Sequence, residues 1–141
     1  MRIRTSVILT AIAVATLVLA ACGRSGSPGA EKSIKSTKSG DTTITLSSPS
    51  GEIKEGDNEL TLAFTDASGK PVDVAAASLK FHMPAMGSMA AMDDVATLTT
   101  TDTQGKFRAR VDIEVAGSWE AMISFQGPRG TEQATMSVTA K

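Results

Sequence analysis

The chain has one cysteine, one histidine and one tryptophan in 141 residues, and aromatic side chains make up only 4% of it. A lone cysteine cannot pair within the chain, so no internal disulfide framework holds the fold. One histidine, no thiol besides Cys22 and no carboxylate pair with separable acid and base roles leave no catalytic constellation, and the chain reads as a non-enzyme. A surplus of basic charge is missing too. The net charge is −1, which gives no electrostatic footprint for nucleic acid. The one long apolar stretch, residues 7–19, is about 13 residues, against the roughly 20 that a spanning helix needs.

That stretch follows Arg2 and Arg4 and ends in Leu19-Ala20-Ala21-Cys22, the pattern of an export signal rather than of a spanning helix. Leu-Ala-Ala-Cys resembles the lipobox of bacterial lipoproteins. The expectation is a signal peptide over residues 1–21 and a lipid carried on Cys22, with several acyl chains giving stable membrane anchoring. The mature chain would then lie in the bacterial envelope, on a membrane and facing the periplasm or the outer surface. Its 120 residues suffice for one domain with a real core. Residues 22–41 are rich in Gly, Ser, Lys and Thr and predict a flexible linker, with a typical reach of about 23 Å.

From Asp41 onward the apolar residues recur with period two. Ile44 and Leu46 mark one strand, and Leu60, Leu62 and Phe64 a second that ends in a turn over residues 66–71. Val72 with Val74, and Leu79 with Phe81, predict two short runs broken near residues 75–77. Residues 95–101 are rich in β-branched side chains and strand-like. Phe107, Ala109, Val111 and Ile113 share one face of a strand, as do Trp119, Ala121, Ile123 and Phe125 in the next, and Ala134, Met136 and Val138 in the last. About seven short strands in about 100 residues predict an all-β fold, an immunoglobulin-like antiparallel β-sandwich over residues 42–141. Trp119 falls in the inward register and is expected in the core.

Four of the seven methionines, Met83, Met86, Met89 and Met92, lie in one ten-residue window that His82 precedes. Thioether sulfur and imidazole nitrogen are donors that suit Cu(I), whereas Mg and Ca call for oxygen. In an oxidising envelope a cysteine pair would close into a disulfide, while thioethers stay available. Pro84 and Gly87 argue against a continuous helix. The expected loop is a turn through Gly87, with a helical turn starting at Ser88 as N-cap. Two readings stand side by side. In one, the four methionines bind Cu(I) with His82 as an auxiliary ligand. In the other, methionine fills gaps or makes an adaptable binding surface, and the chain is a metal-free interaction module whose loop packs on a protein partner. Asp93 and Asp94 read as a solvated loop end.

Four blocks, Gly69-Lys70-Pro71-Val72, residues 80–89 with Met83-Pro84-Ala85-Met86-Gly87, Gly105-Lys106-Phe107 and Ala116-Gly117-Ser118-Trp119, resemble in order the pattern of the YtkA-like, FixH-related domain. The resemblance spans about residues 42–140. It implies an immunoglobulin-like sandwich on an envelope protein, and a membrane protein of heavy-metal efflux or cytochrome oxidase assembly as partner.

Overall fold

The computed structural model describes residues 30–141. The expected signal peptide, Cys22 and the first part of the expected linker lie outside the described residues. The rest is an antiparallel sandwich of two sheets with no helix among the described residues. Nine strands follow in order: β1 (Lys32–Ser39), β2 (Thr42–Ser48), β3 (Gly56–Thr65), β4 (Ala76–Met83), β5 (Met92–Val95), β6 (Thr97–Thr100), β7 (Lys106–Ile113), β8 (Gly117–Gly127) and β9 (Gly130–Ala140). One sheet has the order β1-β2-β3-β7-β6 and the other β5-β4-β8-β9.

The alternation read from the sequence sets which face each residue takes. β7 alternates exposed and buried without a break, Phe107, Ala109, Val111 and Ile113 being inside, and β8 buries Trp119, Ala121, Ile123 and Phe125. Apolar removal from water is the main favourable term, about 1.5–3 kcal/mol for each large side chain. Phe64 of the first sheet links the layers: its ring meets Phe107 edge-to-face at 5.9 Å and Phe125 of the second sheet at 4.8 Å. Trp119 is buried as expected, and its indole N–H donates to the Val115 carbonyl at 3.0 Å. That bond satisfies the ring's single polar group inside the core.

The sandwich departs from the expected seven strands at three places. First, residues 32–39, read as part of a flexible linker, form β1, which pairs with β2 from Lys32 opposite Ser48 to Ser39 opposite Thr42. Only Ile34 supplies large apolar bulk, so backbone pairing rather than burial holds this strand, and its lysines suit an exposed sheet edge. Second, the expected single strand over residues 95–101 is divided between the sheets. The Ala96 amide still bonds the Leu79 carbonyl of β4 at 3.0 Å, while Thr97 already pairs with Arg110 of β7. Third, Val72 and Val74 pack against or into the core from irregular chain, so only β4 forms where two runs were expected. The amide of Val72 is held by the Phe64 carbonyl. Close by, Gly105 has φ 71° and a Cβ there would lie 2.6 Å from the Val72 carbonyl oxygen, so only glycine fits.

Candidate functional site

The methionine segment is the continuation of the β4–β5 hairpin, not a loop with a helical turn. In the base of the hairpin His82 pairs with Asp93 and Met83 with Met92. The same register reappears at the tip, where Met86 and Met89 exchange both backbone hydrogen bonds, at 3.1 and 2.9 Å. Gly87 and Ser88 are the two central turn residues. Gly87 has φ 56°, the left-handed conformation that a two-residue hairpin turn requires at its first position. The anticipated N-cap role of Ser88 is therefore corrected: its neighbour can take the positive φ that closes a ribbon.

This register sorts the four methionines into two cross-strand pairs. Met83 lies in the core at 2% exposure beside Gly117, and Met92 packs partly buried against the same core. Met86 and Met89 are 53% and 44% exposed, at a tip where residues 84–91 are all exposed and none carries charge. Between base and tip, residues 84–85 and 90–91 are irregular, so the shared register rather than a continuous ladder links the two pairs. The register thus opposes the methionines in two separate pairs, one at the base and one at the tip.

His82 faces outward, as its place after the buried Phe81 requires. Its Nδ1 lies 2.7 Å from Asp93 Oδ1, and Lys80 Nζ approaches the same oxygen at 3.6 Å. The hydrogen bond to His82, with the Lys80 charge beside it, holds the Asp93 carboxyl below the ordinary carboxylate value. On its other flank His82 pairs with Glu120 of β8. Asp94 corrects the reading of a solvated loop end: it is buried, and its Oδ2 accepts the Glu114 amide at 3.2 Å, tying β5 to the chain after β7.

Sequence reasoning missed Asp93 as a partner of the histidine. The signal was there: once Gly87-Ser88 is taken as a two-residue turn, residues at equal distances on either side face each other, and His82 then meets Asp93. It also passed over Met122, which β8 turns outward beside Lys80 and Val95, in an apolar groove of about 330 Å³ with Ser78, Ser124 and Thr135.

Among the described residues no three His, Cys, Asp or Glu side chains come together as metal donors. A metal held at this hairpin would draw on thioethers and one imidazole, a soft set that suits Cu(I) at a coordination number of two or three. None of the described segments is a helix long and apolar enough to cross a membrane. A family model described as YtkA-like matches residues 36–124, more than half of the chain. No curated protein and no solved structure matches.

Proposed function

The chain belongs to the YtkA-like family, and on that premise we propose that it is a lipid-anchored envelope protein that handles Cu(I) at the tip of its β4–β5 hairpin. Met86 and Met89 are the primary donors, His82 is an auxiliary ligand, and Cys22 carries the membrane anchor. The observation that supports this reading is the exposed, hydrogen-bonded Met86–Met89 pair at an uncharged tip. The two backbone bonds fix the spacing of the sulfur-bearing chains before any ion arrives, which lowers the ordering cost of binding. Thioethers bind without losing a proton and are weak donors, so the ion would exchange readily, which suits delivery to or from a membrane protein of metal efflux or oxidase assembly. The burial of Met83 narrows the donor set: its burial stabilises the fold, and drawing it out would cost that stabilisation.

Competition for Cu(I) against a chromogenic chelator tests the proposal. The wild-type protein is expected to take the metal, and Met86→Leu with Met89→Leu to weaken it by at least about tenfold, since leucine keeps bulk but offers no donor. Equal behaviour of the two proteins would sink the copper reading. It would favour the metal-free alternative, in which the apolar tip packs on a protein partner and leucine serves as well as methionine.

A further inference from the structure

We infer that Asp93 is a positioning residue for metal binding: it holds the His82 proton on Nδ1 and so presents the Nε2 lone pair as the nitrogen ligand. The inference rests on the Cu(I) reading above and adds to it a residue that is not itself a donor to the metal.

The argument starts from the acceptor. An ionised carboxylate can only accept, so at 2.7 Å the His82 Nδ1 must be the donor and must carry the proton. Lys80 Nζ, 3.6 Å from the same Oδ1, favours the ionised form of Asp93. A neutral imidazole with its proton on Nδ1 has its lone pair on Nε2, the arrangement in which a carboxylate behind a ligating histidine orients it and raises its basicity. The geometry is set by the fold rather than by chance contact, because His82 and Asp93 are directly opposed in the β4–β5 register and the turn at Gly87 fixes that register. A short Asp side chain reaches its cross-strand neighbour without further rearrangement. His82 is held on its other flank by β8 through Glu120, so the backbone under the ring sits in the middle of a paired sheet while its side chain stays 31% exposed. An exposed pair that merely exchanged charge would contribute little to stability, and that bland role makes different predictions.

The test uses the full chain and Cu(I) itself. Nitrogen-15 spectra of the imidazole report the tautomer directly, and the single histidine gives one set of signals. In the metal-free protein, above the pH at which the ring is protonated, the proton is expected on Nδ1, the form that a free histidine in water disfavours. Asp93→Asn is expected to shift the ring toward the Nε2–H form and to weaken Cu(I) about tenfold, the lower range for loss of such a carboxylate, while Asp93→Glu restores both. A wild-type ring protonated on Nε2, or an Asp93→Asn protein that takes up Cu(I) as tightly as the wild type, overturns the inference. A wild-type protein that binds no Cu(I) removes the copper reading as well, whereas binding that ignores Asp93 removes this inference alone.

Discussion

Met83 with Met92 and Met86 with Met89 are the same side chains in the same hairpin register, yet the first pair belongs to the core and the second to the surface. The difference comes from where the sheet ends. At Met83 the hairpin still runs beside β8 in the second sheet, and an inward side chain finds Gly117 and the apolar interior. Three residues further on, the ribbon has left the sandwich, and residues 84–91 are exposed among the described residues. Identical chemistry thus serves packing at the base and stays available at the tip. Spacing along the chain does not separate these roles; distance from the end of the sheet does.

The comparison can be broken most directly by truncation. Met83→Ala is expected to lower stability by about 2–5 kcal/mol, the cost of emptying a core site, whereas Met89→Ala should change it by less than about 0.5 kcal/mol. Thermal or denaturant unfolding reads both, and similar losses at the two positions would refute the division. A smaller effect is expected at the turn. Gly87→Ala meets no neighbouring atom but must hold a left-handed backbone, so it should cost about 1–2 kcal/mol through conformation alone and loosen the tip pair. Unfolding together with amide exchange at Met86 and Met89 would show it.

The smallest expected effect is acid sensitivity at the hairpin base. Asp93 and Asp66 are both held below the ordinary 3.8, the first by the His82 hydrogen bond and the second by the Ser68 hydroxyl. A carboxyl lowered in the folded state stabilises it fully above the ordinary value, and that contribution is lost as pH falls from there through the lowered one. Stability should therefore decline below about pH 4, and Asp93→Asn should flatten part of the decline. Both groups are exposed, so the change is modest, and melting curves in an acid series would detect it.

Much of the fold was legible because burial leaves a period-two trace. Phe107 to Ile113 and Trp119 to Phe125 alternate so regularly that their inward faces could be named from the chain alone. β1 left no such trace, since Lys, Ser and Thr at a sheet edge are held by backbone hydrogen bonds that any side chain permits. The division of residues 95–101 was equally hidden: Ala96 passes the chain from one sheet to the other, and the two halves look alike in sequence. In the candidate site the methionines and the histidine stood out by type. Their grouping did not, because it depends on reading Gly87-Ser88 as a hairpin turn rather than the start of a helix.

What the sequence by itself determined is the kind of molecule: alternating apolar residues that can be buried only between two sheets, a single histidine beside four methionines, and a pattern shared with the YtkA-like family. These follow from residue type and local period, which every stretch of chain carries with it. Only the tertiary structure decided which methionines are buried, that residues 32–39 join the first sheet, and that Asp93 faces His82. Each of these depends on register and on the place where a sheet stops, properties that arise between segments distant in sequence.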